Sequence, residues 1–165
     1  MSMLKVDVLR QQLNQAVPWL RDNPENLWMG VRKGALVATG QESASFEYRY
    51  HLEIIVLDYP GDIDRLSLAI LTWAKVHQPD LIFNPDKRVR EVSFSADILS
   101  NNCADILFGL PVDEVRLVSR DAQGRPVITA RDEPDYAEMM GLDATGWDVD
   151  FKDNLNTLSA GADNE

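Results

Sequence analysis

One strand pattern in this chain is much longer than an ordinary strand. In "SFEYRYHLEIIVLDYPGD", residues 45–62, the even positions from Phe46 to Val56 are apolar or aromatic, and the odd positions between them begin polar. Such alternation predicts a β-strand with one buried face. Ile55 and Leu57 then make the second face apolar as well. Strands usually contain about five or six residues. The strand predicted here is about twice as long, about 40 Å at about 3.3 Å per residue.

Two segments have the periodicity of amphipathic helices. The first predicts a helix over residues 3–16, ended by Pro18, because the residue before a proline is disfavoured in the helical conformation. The second predicts a helix that begins at Ile63 after an Asp62 N-cap. Their apolar stripes comprise Val6, Leu9, Leu13 and Ala16 in the first helix, and Ile63, Leu66, Ile70, Trp73 and His77 in the second.

The remaining patterns predict short strands joined by tight turns. Residues 27–40 predict a hairpin with its bend at Lys33-Gly34, because glycine tolerates the positive φ of a tight turn. Residues 92–98 predict a half-buried strand with Val92, Phe94, Ala96 and Ile98 on its apolar face. A partner strand at residues 104–110 follows.

Two further strands are predicted after Pro111, at residues 113–120 and 126–131, joined by a loop that ends at Gly124. The predicted order is therefore helix, three strands, helix and four strands. Short turns favour antiparallel pairing. The sequence predicts an α+β fold, mainly an antiparallel sheet with two helices packed on one face.

Charge divides the chain into two regions. Residues 132–165 contain ten acidic residues and one base, a net charge of −9, so residues 1–131 carry only −2 of the total of −11. We predict a single α+β domain at 1–131 and an extended acidic C-terminal arm at 132–165. The body lacks the Lys/Arg surplus that a nucleic-acid-binding protein needs. The 165 residues contain no apolar run of the roughly 20 residues that a membrane span requires, and the polar N-terminus and single cysteine, Cys103, predict synthesis in the cytoplasm.

No motif indicates catalysis, a cofactor or a metal. Asp58, Asp62 and Asp64 lie close in sequence, but a turn and a helix cap account for them, and the bidentate Glu of a calcium loop is missing. His51 and His77 lie in different predicted elements, and Cys103 has no nucleophile motif around it. The sequence predicts an interaction protein rather than an enzyme, with a small metal-dependent hydrolase that uses the three aspartates as the alternative.

The acidic arm retains large aromatic residues. Trp147 and Phe151 stand in "GWDVDFKDN", and fully disordered tails are poor in such residues. We predict that the arm anchors through these two residues on a neighbouring protomer or another partner protein. The alternatives are a solvated tail and a monomeric adaptor that acts through its acids.

Several stretches together resemble the tail-completion protein R family of contractile-tailed temperate phages and related prophages. The resemblance covers about residues 5–120, and Val112 stands where the family pattern favours leucine. The stretches that carry it are "AVPWLRDNPENL", "GALVATGQESASFEYRYHLEIIVLDYPGD", "LAILTWAKVHQPDLIFNPDKR" and "VSFSADILSNNCADILFGLPVDEVRLV".

The resemblance implies a structural protein of the virion tail that is assembled in the host cytoplasm. Such a protein would cap the head-proximal end of the tail tube and sheath and prepare it for head joining. By analogy with tail terminators it would form a homo-oligomeric ring, a hexamer by that analogy, with tail tube, sheath and neck or head-completion proteins as partners. The long strand would then serve the core with one part and an interface with the other. Tyr48 and Tyr50 near its start are of the residue type enriched at interfaces.

Overall fold

The computed structural model describes residues 3–40, 42–100 and 102–131, which form one antiparallel sheet with helices on one face. The helices are α1 (Leu4–Ala16), α2 (Pro18–Asp22), α3 (Ile63–His77), α4 (Asp80–Phe83) and α5 (Pro85–Arg88), and a 3-10 helix spans Pro24–Asn26. The strands are β1 (Leu27–Ala38), β2 (Phe46–Tyr59), β3 (Ser93–Ser100), β4 (Cys103–Arg120) and β5 (Pro126–Ala130). Their order is β1-β2-β4-β3, and β5 also pairs with β4. The α+β prediction is confirmed.

The two long helices supply one side of the core, as their apolar stripes predict. Leu9 and Leu13 of α1 and Trp73 of α3 are fully buried. The indole Nε1 of Trp73 donates a hydrogen bond to the carbonyl of Lys5 at 2.9 Å, which ties α3 to the first turn of α1. The Asp62 side chain caps α3 by accepting from the amide of Asp64 at 2.9 Å, so the predicted start of this helix is confirmed.

The long strand is real, and only its part from Tyr50 onward lies in the core. β2 contains 14 residues, and Leu52, Ile54 and Val56 are fully buried beneath the helices. A register shift between Val56 and Tyr59 then moves Tyr59 onto the core face. Asp58 takes a φ of 52° at this irregularity, a left-handed conformation that aspartate tolerates better than most residues.

The predicted hairpin at Lys33-Gly34 is wrong, because β1 runs straight through both residues. Gly34 has no positive φ; it pairs with Tyr50, and a Cβ added there would lie 3.1 Å from the Tyr50 Cβ. The glycine therefore permits a close approach between strands rather than a turn. A register shift between Val31 and Lys33 keeps β1 paired with β2 along its whole length.

The predicted strand break at Pro111 is also wrong, because β4 continues through it for 18 residues. On the edge of β4 that faces away from β2, pairing with β3 ends at Gly109 and pairing with β5 begins at Arg116. Pro111 lies in the gap between them, where its missing N–H breaks no ladder hydrogen bond. The Asp113 amide in the same gap donates to the side chain of Gln78 at 3.3 Å instead.

Candidate assembly surfaces

The sheet extends beyond the helices at one end. Past Tyr50 the core face of β2 is no longer covered, and the side chains there are half-buried or exposed. Leu36 of β1, paired with Tyr48, is 70% exposed. We call this end of the core face the distal surface, and its members are Leu36, Phe46, Tyr48, Arg116 and Ile128.

The aromatic side chains of the distal surface are held in place. Phe46 and Tyr48 pack edge to face with ring centroids 5.4 Å apart. The Arg116 guanidinium lies 5.6 Å from the centre of the Tyr48 ring, and also pairs with Glu114 at 3.4 Å. Aromatic residues and arginine are enriched at protein interfaces, and a rigid tyrosine ring loses little conformational entropy on binding. The predicted site residue Tyr48 therefore lies on a surface suited to binding a partner.

A buried polar cluster marks where the helices stop and the distal surface begins. Glu114 is buried, and its carboxylate accepts from the Tyr50 hydroxyl at 2.8 Å and from the Lys5 amide at 3.2 Å. Tyr50 is itself buried in the core of the single chain, which places it behind the distal surface rather than on it. Its predicted contact with a partner stays a prediction.

A second exposed apolar region lies on the edge strand β3. Half-burial was predicted for this strand, and the structure corrects this, because every residue of β3 is exposed. Phe94 and Ile98 pair with Phe108 and Ala104 on the core face of the sheet, yet they are 67% and 78% exposed. The helix layer does not extend far enough sideways to cover the last strand. We call the row Phe94, Ala96 and Ile98 the β3 surface.

A groove runs between the Ser93 end of β3 and the helices. Its volume is about 400 Å³. The Phe108 side chain, buried on the core face, lines it, and so does Arg88, which is exposed. We call it the β3 groove; its other lining residues are Ser67, Ile70, Leu71, Leu81, Ile82, Val92, Ser93 and Phe94.

The opposite face of the sheet carries the second apolar side of β2. Ile55 is half-buried and Leu57 is 43% exposed. Trp28 of β1 pairs with Ile55, and its indole ring lies over Gly30, where an added Cβ would be 2.3 Å from the ring. Arg32 stacks on Trp28 at 4.9 Å and pairs with Glu53. Within residues 3–40, 42–100 and 102–131 the helices cover the other face only, so no described element covers this one.

A wider polar groove of about 630 Å³ lies along β1, β2, β4 and the end of α3. Four of its charged side chains form two ion pairs, Arg49 with Glu47 at 3.0 Å and Lys87 with Asp80 at 2.6 Å. The hydrogen bond and charge of Asp80 raise the pKa of Lys87 above its usual value. His51 lines this groove and lies over Gly109. The Lys87–Asp80 pair joins α5 to α4, whereas Arg49 and Glu47 lie two residues apart on β2.

Each of the three aspartates of the hydrolase alternative takes part in a local hydrogen bond, Asp58 and Asp64 through their backbone amides and Asp62 through its carboxylate. Asp62 caps α3 through the amide of Asp64, and the Asp58 amide donates to the Asp105 side chain at 2.8 Å. Within the part of the chain that the structure describes, no three His, Cys, Asp or Glu side chains lie close enough to hold a metal ion. His77 lies at the opposite end of α3 from Asp62, and its ring stacks on Trp73 with centroids 5.8 Å apart.

Trp147 and Phe151, the predicted anchor residues of the acidic arm, lie outside the described residues. The described helices include none that is both long enough and apolar enough to span a bilayer.

The raised pKa values of two buried tyrosines predict that the protein loses stability in alkali. Burial raises the pKa of Tyr59 to about 12, and burial together with the hydrogen bond to Glu114 raises the pKa of Tyr50. Because a tyrosine pKa is about 10 in the unfolded chain, the fold favours the neutral form. The contribution of the two neutral tyrosines to the free energy of unfolding is complete below pH 10. It is lost as the pH rises towards and beyond 12.

Replacing Tyr59 with phenylalanine tests this contribution. Between pH 10 and 12 the Tm of the wild type should fall more steeply than that of Tyr59→Phe, although the wild type should be more stable at pH 7, where its hydroxyl donates to the Asp62 carbonyl at 3.0 Å. Parallel Tm profiles of the two proteins over this range would contradict the buried, neutral state of Tyr59.

These features define a class: a small α+β protein that exposes apolar residues on an open sheet end and on an edge strand. The comparisons with known proteins identify the group within it. The family model for P2 phage tail completion protein R (GpR) matches residues 3–135. "Tail completion protein R" of Escherichia phage P2 is 39% identical over 117 residues, which cover 71% of this chain and 76% of that protein. No solved structure matches the chain significantly.

The chain therefore belongs to the P2 phage tail completion protein R family. This is a family of structural phage proteins and not a known enzyme family, so the resemblance noted in the sequence is confirmed. The match ends at residue 135, which leaves most of the acidic arm outside it.

Proposed function

We propose that this protein completes the phage tail by forming a ring that caps the head-proximal end of the tube and sheath and prepares it for head joining. Family membership supports the tail-completion role. The ring is supported by one observation above all, the presence of two different exposed apolar surfaces on one small chain. A ring made by head-to-tail contacts requires two such unlike surfaces on each copy.

The positions of the two surfaces suit contacts with two different neighbours. Phe108, opposite Phe94 of the β3 surface, and Arg116 of the distal surface are eight residues apart along β4. This separation is about 26 Å at about 3.3 Å per residue. A copy bound at one surface therefore leaves the other free. We propose that the distal surface of one copy packs against the Ile98 end of the β3 surface of the next, with six copies closing the ring by analogy with tail terminators.

The sheet face opposite the helices and the two rims of the ring provide the contacts with other tail components. The Trp28, Ile55 and Leu57 face is apolar and uncovered among the described residues, which suits the tail tube and sheath proteins. The neck or head-completion proteins would contact the rim that faces the head. The proposal places the protein in the virion tail and requires no cofactor.

Single substitutions on the two surfaces test the proposal. In a lysate that lacks this protein, Leu36→Ser and Ile98→Ser should each reduce head-joined particles, counted by electron microscopy, at least about tenfold, since a ring needs both surfaces. Val76→Ser is the matched control, because Val76 is half-exposed on α3 and lies on neither surface. Normal numbers of joined particles with both surface variants would contradict the proposed ring.

A further inference from the structure

We infer that the β3 groove of each copy is the binding site for residues 147–151 of the acidic arm of the neighbouring copy. This inference rests on the proposed ring and deepens it by assigning a receptor surface to the arm. Four observations support it: the chemistry of the groove, the open edge of β3, the charges beside the groove, and the place where the arm begins.

The groove offers an apolar site with an open strand beside it. The Phe94 ring stands 67% exposed at its rim. β3 is the last strand of the sheet, and among the described residues its outer edge has no partner. Unpaired strand edges bind extended segments by adding a strand, with alternate side chains entering the adjacent pockets.

The sequence of residues 147–151 fits such a site. It reads Trp-Asp-Val-Asp-Phe, so that in an added strand the three apolar side chains would share one face and the two aspartates the other. The apolar face suits the groove between α3 and β3. The aspartates suit positive charge at its rim.

That positive charge is present beside β3. Arg88 lines the groove, and Arg90 lies two residues further on, with the 81% exposed Val89 between them. Neither arginine forms an ion pair within 4 Å with another described residue, whereas Lys87 next to them is paired with Asp80. The arm carries a net charge of −9, which complements these two cations.

The arm begins at the surface that faces the neighbour in the proposed ring. The last described residue, Arg131, donates its amide to the Val115 carbonyl at 3.1 Å, next to Arg116 of the distal surface. Fifteen residues, 132–146, precede the binding segment. They can span up to about 50 Å at about 3.3–3.6 Å per residue. The Ser93 end of the neighbour's β3 is therefore within reach while the distal surface contacts the Ile98 end.

Hydrogen exchange of the full-length chain tests this assignment. In the assembled ring, the β3 amides should exchange at least about tenfold faster in the double variant Trp147→Ser, Phe151→Ser than in the wild type, a factor that corresponds to about 1.4 kcal/mol. Arg88→Glu with Arg90→Glu should have the same effect. The matched control is the double variant Tyr136→Ser, Met139→Ser, which changes two large residues of the acidic arm outside residues 147–151. Its β3 amides should exchange as fast as those of the wild type.

Each other outcome separates this inference from the proposed ring. A ring of normal mass with unchanged β3 exchange in both test variants overturns the inference and leaves the ring intact. Arm-dependent protection in a monomer means that the arm binds its own chain, which overturns the assignment to a neighbour. A wild-type protein that stays monomeric at high micromolar concentration, without arm-dependent protection, contradicts both.

Discussion

Replacing Trp73 with alanine should lower the free energy of unfolding by about 3–5 kcal/mol, the usual cost of truncating a large core side chain. Trp73 is completely buried. It also joins the two long helices, because its Nε1 donates to the Lys5 carbonyl at 2.9 Å. The substitution therefore creates a cavity and leaves a buried acceptor without its donor.

Denaturant unfolding followed by circular dichroism measures this loss. Val76→Ala on the same helix is the matched control: Val76 is half-exposed, so its truncation should change the free energy of unfolding by no more than about 0.5 kcal/mol. Equal stabilities of Trp73→Ala and Val76→Ala would show that the packing of α3 on α1 and the sheet is described wrongly.

The second large effect concerns Glu114, which organises the boundary between core and distal surface. Glu114→Leu should lower the free energy of unfolding by about 3–5 kcal/mol, the range expected when one partner of a buried ionic network is removed. The leucine would leave the Tyr50 hydroxyl and the Lys5 amide without their acceptor, and Arg116 without its carboxylate.

Glu114→Gln separates the loss of charge from the loss of the acceptor. The amide oxygen can still accept a hydrogen bond. The free energy of unfolding of this variant should therefore fall by only about 1.5–3 kcal/mol, the usual contribution of hydrogen bonds to a charged group. Glu114→Leu should also disorder the distal surface, because Arg116 would no longer be held over Tyr48. A Glu114→Leu protein as stable as the wild type would mean that the cluster is replaceable by apolar packing.

The parts of the fold that depend on neighbours in sequence were predictable. The stripes of α1 and α3, the Asp62 cap and the alternation of β2 from Tyr50 to Val56 are all local signals, and each matches the structure. The predicted loop likewise ends at Gly124, which has a positive φ.

The errors arose where a distant strand decides the role of a residue. Gly34 indicates a turn in sequence, but its absent side chain makes room for Tyr50 across the sheet. Pro111 indicates a strand end, but it lies where β4 has no partner on one edge. Only the strand order reveals either fact.

The candidate site could be predicted only in part for the same reason. The amphipathic aromatic Tyr48 was identified by residue type and position in the long strand, and it lies on the distal surface. Tyr50 has the same residue type two positions later, yet the helices cover it and Glu114 holds its hydroxyl. Phe94 and Ile98 have the pattern of a half-buried strand, and their exposure follows from the width of the helix layer, which periodicity does not encode.

The head-to-tail ring is tested most directly by mixing the two surface variants. Leu36→Ser retains only its β3 surface and Ile98→Ser only its distal surface, so each should be monomeric alone, and the mixture should form one contact and stop. Native mass spectrometry should then show the wild type as a closed ring, each variant at the chain mass of 18.6 kDa, and the mixture as a mixed dimer of twice that mass. A mixture that stays monomeric, or a wild type that never exceeds the monomer at high micromolar concentration, would contradict the account.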